Sequence, residues 1–338
     1  MQSGRDDPTV TVVICTRNRP QLLENCLAAL ARQTQPVFDT LVVDNAPLPQ
    51  VRDISQRYGA RYIHEPVAGI SRARNAGVRE SHGDIVAFID DDAIAESGWL
   101  ESLLPVFRDP SIGAATGGTR YMKSYGGDRL MSAEIALEPI RPGRIYGRHD
   151  VDWFVSASFG GIGDGMNMAF RRSLFERQVR FDERLGRGRL LDGADEHVAF
   201  LSVLSAGYRI AHVPAATVRH PVPADPRTVA AQRISLVRSA IAYILFLWFE
   251  FPGHRAALTG FVRRAIQKRL KVRGPGAAVT RPASRWQVLW AVFAGPVTYF
   301  KARQEWKQYD LIAPGSSVGN HRRAMPEPAA SASLRLRV

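Results

Sequence analysis

The first 116 residues alternate short β-rich runs with segments of helical periodicity, and this order limits the fold more than any other feature. Apolar and β-branched residues fill the runs at 9–15, 38–43, 60–64, 85–89 and 112–116. Between them, apolar residues recur at helical spacing over 21–32, 51–58, 71–81 and 99–108. Strands that alternate with helices predict an α/β fold with a doubly wound, mostly parallel sheet.

Polar side chains follow three of the predicted strands at their carboxyl ends. Thr16-Arg17 follow the first strand, Asp44 follows the second, and Asp90-Asp91-Asp92 follow the fourth. In doubly wound sheets ligands bind beyond this edge, so the sequence predicts a site there. Asp90 and Asp92 are two residues apart and project to the same side of an extended chain. Their oxygens suit Mg²⁺ or Mn²⁺ together with a diphosphate, although a solvated strand end that leads into a turn is the alternative.

The last third of the chain differs sharply in composition. Residues 226–338 contain 19 of the 45 basic residues and only 4 of the 32 acidic ones, together with four of the six tryptophans. Helices are predicted at 230–251, which contains the apolar stretch 240–249, and at 256–272. Residues 285–306 contain a second apolar stretch, interrupted by Gly295-Pro296, that also fits a helix. Neither the apolar stretch at 240–249 nor the one within 285–306 cleanly reaches the roughly 20 apolar residues that a membrane span needs.

A basic and aromatic helical region predicts contact with an anionic surface. We expect helices that lie in the interface of a membrane, with tryptophan anchors and a basic polar face. A helical subdomain with a basic solvent face is one alternative. A nucleic-acid-binding module is another, against which the apolar stretch 240–249 argues.

These observations divide the chain into three regions. Residues 1–225 form the predicted α/β domain, 226–312 the basic helical region, and 313–338 a tail rich in Pro, Ser, Ala and Arg that we expect to be disordered. The two cysteines suggest neither a disulfide framework nor a zinc site. Because the first seven residues lack an apolar core, they do not resemble a signal peptide. The predicted location is the cytoplasm, at the inner face of the membrane.

Five segments in order carry a more specific resemblance. They are VVICTRNRP at 12–20, VVDNA at 42–46, GISRARNAG at 69–77, FIDDD at 88–92 and GADEHVAFLSVLSAGYRI at 193–210. Together, over about residues 9–222, they resemble the family 2 glycosyltransferases, which have the GT-A fold. The resemblance implies a metal-dependent, inverting transfer of a sugar from a nucleotide-diphosphate donor to a hydroxyl of a glycan or lipid-linked acceptor. It also implies a role in cell-surface polysaccharide or glycolipid synthesis.

The resemblance assigns donor-binding roles position by position. It implies that Thr16 and Arg17 lie against the nucleotide base and that Asp44 hydrogen-bonds the base. Arg74 and Asn75 would lie near the base, ribose and phosphate. A guanidinium suits phosphate because it presents a planar fork of donors.

The carboxylate triplet matches the family's metal motif. By resemblance, Asp90 would contact the ribose, Asp92 would bind the Mn²⁺ or Mg²⁺ that bridges the diphosphate, and Asp91 would help at the metal or the sugar. His220 matches a histidine that is a metal ligand in some members, although a structural role is the alternative.

The pair Asp195-Glu196 matches the family's catalytic Glu-Asp pair in swapped order. The implied role is that of the base that deprotonates the acceptor hydroxyl. The swap leaves open whether Asp195 or Glu196 is that base. Carboxylates at a helix N-terminus also interact favourably with the helix dipole, and both roles are compatible.

Two other functions remain open at this point. One is a nucleotidyltransferase on a similar scaffold, but the loop CTRNRP lacks the glycines that such enzymes use to hold phosphates. The other is a non-catalytic protein that binds membrane or nucleic acid through a degenerate site, which the swapped acidic pair makes conceivable.

Overall fold

The computed structural model of the chain describes residues 8–35, 39–124, 134–135, 141–177, 179–223, 226–271 and 285–312. The tail predicted to be disordered, 313–338, lies outside these residues.

Ten strands in the described residues form one mixed sheet. They are β1 (Val10–Thr16), β2 (Asp39–Asp44), β3 (Arg61–His64), β4 (Ile85–Asp90), β5 (Ile94–Ala95), β6 (Ile112–Ser124), β7 (Glu134–Ile135), β8 (Arg144–Tyr146), β9 (Asn167–Arg171) and β10 (Arg209–Pro223). The helices are α1 (Pro20–Leu30), α2 (Pro49–Arg57), α3 (Ile70–Arg79), α4 (Trp99–Leu103), α5 (Trp153–Ser158), α6 (Asp195–Ser205), α7 (Pro226–Glu250), α8 (Arg255–Lys271) and α9 (Arg285–Ile312).

The main path of the sheet runs in the order β3-β2-β1-β4-β9-β6-β10-β5. The four strands β3, β2, β1 and β4 are parallel, which confirms the βαβ arrangement predicted for the first part of the chain. β9 lies in the middle of the sheet and runs antiparallel to both β4 and β6. The α/β fold is therefore confirmed, with a central antiparallel strand that the alternating pattern did not predict.

Strand β10 is longer than the sequence indicates. The sequence predicts a short strand over 209–213 that ends at Pro214, which is consistent with the inability of proline to donate a ladder hydrogen bond. Instead the pairing with β6 skips from Val213 to Thr217 and then continues to Pro223. The bulge accommodates Pro214, and Thr217 Oγ1 donates to its carbonyl at 2.9 Å. The continuation carries His220 into the sheet, one residue beyond the β5 pairing at Arg219.

The C-terminal helices share a hydrophobic core with the sheet domain. Phe170 and Phe200 of the domain belong to the same cluster of buried side chains as Phe246 and Tyr299 of α7 and α9. Arg184 connects the sheet domain to α7, because it forms salt bridges with Asp182 at 2.7 Å and with Glu250 of α7 at 3.1 Å. Its guanidinium also lies 4.8 Å from the ring centre of Phe246 and 5.1 Å from that of Trp306.

Helix α9 continues through Gly295-Pro296, the pair that interrupts its apolar stretch. Pro296 lies inside the helix. Gly295 allows close packing on α7, since a Cβ there would stand 2.6 Å from Cγ2 of Ile241. Within the described part of the chain, no single helix has the length and apolarity to cross a bilayer, but the bent pair 234–250 and 252–265 passes that test together, with a bend of 110°.

Candidate active site

The strand register places the polar side chains predicted from the sequence at one edge of the sheet. Thr16 at the end of β1 pairs with Asp44 at the end of β2, and Cys15 pairs with Asp90 at the end of β4. Parallel strands end at the same edge, so the loops that follow β1, β2 and β4 converge there. This edge is the frame on which the rest of the site is built.

The three aspartates after β4 do not share one environment. Asp91 is buried, and its carboxylate accepts hydrogen bonds from Thr16 Oγ1 at 2.7 Å and from Arg19 Nη1 at 3.2 Å. Burial, with a smaller contribution from the charges of Asp92 and Asp90, raises the pKa of Asp91 to about 6 against the opposing charge of Arg19. Asp91 therefore ties the end of β4 to the loop after β1.

Asp90, Asp92 and His220 form a group that can hold a metal ion. One ligand atom from each lies within 4.8 Å of the others. His220 Nε2 stands 3.2 Å from Asp92 Oδ1. Burial alone would raise the pKa of Asp92, but the hydrogen bond and charge of His220 outweigh it and lower that pKa. The chemistry of the donor set, two carboxylates and one imidazole, fits a divalent cation such as Mn²⁺.

Arg74 on α3 links this group to the start of α6. Its guanidinium is buried and donates to Asp195 Oδ2 at 2.5 Å, to Asp90 Oδ1 at 3.3 Å and to the carbonyl of Gly165 at 3.0 Å. Burial opposes the positive charge, yet the surrounding carboxylates keep the pKa of Arg74 raised. One side chain thus contacts both the candidate metal group and the acidic pair.

The two carboxylates of the acidic pair have different surroundings. Asp195 is 2% exposed and is neutralised by Arg74. The side chain of Glu196 is 19% exposed, and its carboxylate lies 3.8 Å from His197 Nε2. Burial raises the pKa of Glu196 to about 8, and the charge of Asp195 adds to this effect against the opposing Arg74. Glu196 is therefore the carboxylate that is both accessible and able to take up a proton near neutral pH.

Several residues that the resemblance assigned to the donor have internal partners. Asp44 is fully buried and accepts from Tyr62 Oη at 3.1 Å and from the backbone N–H groups of Ala46 and Leu48. Asn75 bonds the backbone of Phe181 in both directions. Both side chains hold loops in place. Thr16 bonds Asp91, as described above, and Arg17 is exposed at the edge of the site.

Two residues of the site were not selected from the sequence. Arg19 bridges Asp91 and Asp92, with Nη1 at 3.0 Å from Asp92 Oδ2. Arg19 could have been selected from the sequence, because it belongs to the CTRNRP loop that follows β1. His197 lies beside Glu196, and burial lowers the pKa of His197 to about 4, so the ring is neutral at pH 7. The sequence gave no signal for the position of His197, because a single histidine within a predicted helix has no distinguishing pattern.

Comparison with known proteins yields a family and related sequences. Residues 11–178 match the family model described as "Glycosyl transferase family 2". The chain is 30% identical over 234 residues to the succinoglycan biosynthesis protein ExoM of Rhizobium meliloti, an alignment that spans 65% of this chain and 69% of that protein. It is 29% identical over 128 residues to the glycosyltransferase AglE of Haloferax volcanii, which spans 36% of this chain and 42% of AglE. The chain thus covers less than half the length of AglE.

A solved structure shows the same architecture. The mannosyltransferase PcManGT from Pyrobaculum calidifontis, solved with GDP-Man and Mn²⁺, superposes with a TM-score of 0.54 at 18% identity. The match covers 94% of this chain and 84% of that one. At this level of identity the likeness shows the fold, a GT-A-like mixed α/β sheet.

Proposed function

The chain belongs to glycosyltransferase family 2, and we propose that it transfers a sugar from a nucleotide-diphosphate donor to an acceptor hydroxyl. The observation that carries this proposal is the position of Arg74, which contacts Asp90 of the candidate metal group and Asp195 of the acidic pair. A donor held at the metal group would therefore lie close to the start of α6. The name of ExoM supports a role in the synthesis of cell-surface polysaccharide or glycolipid.

Asp90, Asp92 and His220 would hold the divalent cation. The imidazole nitrogen favours Mn²⁺ over Mg²⁺, which prefers oxygen ligands. When bound, such a cation neutralises charge that develops on the leaving nucleoside diphosphate. Arg19 and Arg17 add positive charge at the same edge of the sheet, which favours the binding of a diphosphate.

Glu196 is the proposed base. Its carboxylate would take the proton of the acceptor hydroxyl as the oxygen attacks the anomeric carbon, and the nucleoside diphosphate would leave from the opposite face. This single displacement inverts the anomeric configuration and needs no covalent enzyme intermediate. Asp195 is unsuited to the role because its carboxylate is paired with Arg74.

Calorimetric titration with UDP, GDP and dTDP, each with and without Mn²⁺, tests the donor site. We expect one nucleotide to bind only with the metal, and Asp92→Asn to abolish that binding. Turnover should release a nucleoside diphosphate; release of pyrophosphate would instead establish the nucleotidyltransferase. Failure of every nucleotide to bind in the presence of lipid vesicles would overturn the donor site.

We also propose that the C-terminal helices bind an anionic membrane at the cytoplasmic face. Large apolar side chains recur at helical spacing along one exposed face of α9, which we call the α9 stripe: Trp286, Leu289, Trp290, Phe293, Val297 and Phe300. Trp286 is 81% exposed and Phe293 is 74% exposed. Exposed apolar patches of this kind mark interaction surfaces. Arg255 and Arg303, which lie over Trp248 and Phe249, supply adjacent positive charge.

Flotation with vesicles that contain an anionic phospholipid tests the membrane proposal. We expect the wild type to float and the double variant Trp286→Ser/Phe293→Ser to remain in solution, while its metal-dependent nucleotide binding is unchanged. A nucleic-acid partner would instead give affinity that falls steeply with salt and does not depend on these two side chains.

A further inference from the structure

An apolar groove separates α7 from α8. It has a volume of about 470 Å³ and is lined by Ile244 and Trp248 of α7 and by Leu258, Thr259, Val262 and Arg263 of α8. Its wall is almost entirely apolar, and its size lies within the range of small-molecule sites, about 300–1,000 Å³. The resemblance assigned none of these residues to the donor or the metal.

The groove stays open because α8 is anchored elsewhere. Phe261 of α8 stacks on Phe159 with ring centres 4.0 Å apart. His254, in the turn that precedes α8, stacks on Phe154 of α5 at 4.3 Å. These contacts hold α8 against the sheet domain, and the 110° bend directs it away from α7. The two walls meet near the turn, where Arg255 Nε of α8 donates to the carbonyl of Trp248 of α7 at 3.0 Å, and they diverge from there.

The groove lies next to the surroundings of the proposed base. Ile244 lines the groove, and the preceding residue, Tyr243, faces His197 with ring centres 6.1 Å apart. Consecutive Cα atoms are about 3.8 Å apart, so one turn of α7 borders both features. The α8 wall also lies near His197. Phe261 of α8 stacks on Phe159, and at the next residue, Gly160, a Cβ would lie 3.7 Å from His197 Nε2.

Charge and position at the groove indicate the kind of molecule that fits it. Arg263 is in the lining, while Arg264 and Arg255 are exposed on the same helix. Cations beside an apolar groove suit a hydrocarbon chain with an anionic phosphate. Trp248 of the groove wall precedes Phe249, whose ring centre lies 6.5 Å from that of Phe300 in the α9 stripe. Two consecutive residues of α7 thus border the groove and the α9 stripe.

We propose that the groove binds the hydrocarbon chain of a phosphate-linked lipid acceptor, with the phosphate near Arg263 and the sugar end directed toward Glu196. This inference rests on the proposed function and specifies the class of its acceptor. It also gives the C-terminal helices a part in substrate binding, in addition to attachment at a surface.

Tryptophan fluorescence of the full chain tests the groove, because Trp248 is in its wall. The probe is dodecyl phosphate with a terminal bromine, used below its micelle concentration, since bromine quenches tryptophan on contact. We expect saturable quenching that is lost in Trp248→Phe. Thr259→Phe should weaken the apparent affinity about tenfold or more, because excluding even two methylenes from the groove has an effect of that size.

Ala257→Phe is the matched control. Ala257 is exposed on α8 and lies about 200° around the helix from Thr259, so the same aromatic ring is added outside the groove. We expect this variant to bind the probe like the wild type. Both variants should float with anionic vesicles and bind the nucleotide with metal as the wild type does, so that a lost donor site would be recognised separately.

Three results would overturn the proposal. The first is quenching that does not saturate, or that Thr259→Phe and Ala257→Phe change equally, which would show general partitioning into apolar surface. The second is displacement of the probe by inorganic phosphate at comparable concentration, which would show an anion site alone. The third is a dimer in solution that dissociates in Thr259→Phe, which would make a second copy of the chain the occupant.

Discussion

The acidic triplet at the end of β4 and the acidic pair at the start of α6 are two runs of adjacent carboxylates that the fold treats alike. In each run one carboxylate is buried and bound by an arginine: Asp91 by Arg19, and Asp195 by Arg74. The remaining carboxylates stay partly exposed. Because Arg19 also binds Asp92 and Arg74 also contacts Asp90, burial rather than arginine pairing alone divides each run into structural and chemical roles.

The two runs differ in how that division is produced. β4 ends at Asp90 and the chain then turns, with the N–H of Ala93 donating to the carbonyl of Asp90 at 3.0 Å. In this turn Asp90 and Asp92 lie beside His220, whereas Asp91 is buried against Thr16. At a helix start, successive side chains are rotated by about 100°, so Asp195 points inward and Glu196 points toward the open site. The first run keeps two carboxylates for a cation, and the second keeps one, with a raised pKa, for a proton.

The largest expected effect is a loss of kcat on substitution of Glu196, the proposed base of the acidic pair. Glu196→Gln should lower kcat by about 10²–10⁴, because general base catalysis contributes about that much. Metal-dependent nucleotide binding should not change, which steady-state kinetics and calorimetry together can check. The melting temperature should rise at any pH well above 4.5, and most at pH 8 and above, because the unfolded chain ionises Glu196 near its ordinary pKa of 4.5 whereas the folded chain keeps it protonated up to a pKa of about 8. Full activity in this variant would contradict the assignment of the base.

Asp195→Asn should mainly lower the stability of the fold, whereas Glu196→Gln should mainly lower kcat. Removing this charge leaves the buried guanidinium of Arg74 without its principal partner, and breaking a buried pair costs about 3–5 kcal/mol. The lower end applies here because Asp90 retains a contact with Arg74 at 3.3 Å. Urea unfolding measures this loss. A variant as stable as the wild type would show that Arg74 does not depend on Asp195.

Substitutions in the acidic triplet should likewise separate the metal ligand Asp92 from the buried Asp91. Asp92→Asn should weaken Mn²⁺-dependent nucleotide binding at least about a hundredfold, because changes beyond the direct ligands already cost about 10–100-fold in metal affinity. Asp91→Asn is the matched control, because it changes the same chemical group on the buried side, and it should weaken binding less than about tenfold. Equal losses in titrations of the two variants would refute the division.

The smallest effect concerns pH. Because the pKa of Glu196 is raised to about 8, only a minor fraction of the base is ionised at pH 7, and kcat/KM should rise about tenfold between pH 7 and pH 9. The residual rate of Glu196→Gln should show no such rise. A flat profile in the wild type would mean that another group, or a base with an ordinary pKa, takes the proton.

Much of the fold followed from local patterns, and the exceptions share a cause. The parallel strands β1 to β4 were predicted because each has its own apolar run and a following helix. The antiparallel β9 and the continuation of β10 past Pro214 were not, because both depend on pairing with β6, which is remote in sequence. Gly295-Pro296 interrupts the apolar stretch of α9 but not the helix itself, and Gly295 packs closely on Ile241 of α7, a contact that the local pattern does not show.

The sequence by itself determined that Thr16, Asp44 and Asp90–Asp92 meet at one edge, because parallel strands bring their carboxyl ends together. It also determined that the two acidic runs exist and that the last third is basic and aromatic. The tertiary structure decided which carboxylate is free, because Arg74 reaches Asp195 across 121 residues of chain. It likewise decided that His220 joins Asp92 and that a groove opens between α7 and α8. Burial and charge pairing are set by neighbours in space, and only the folded chain specifies those neighbours.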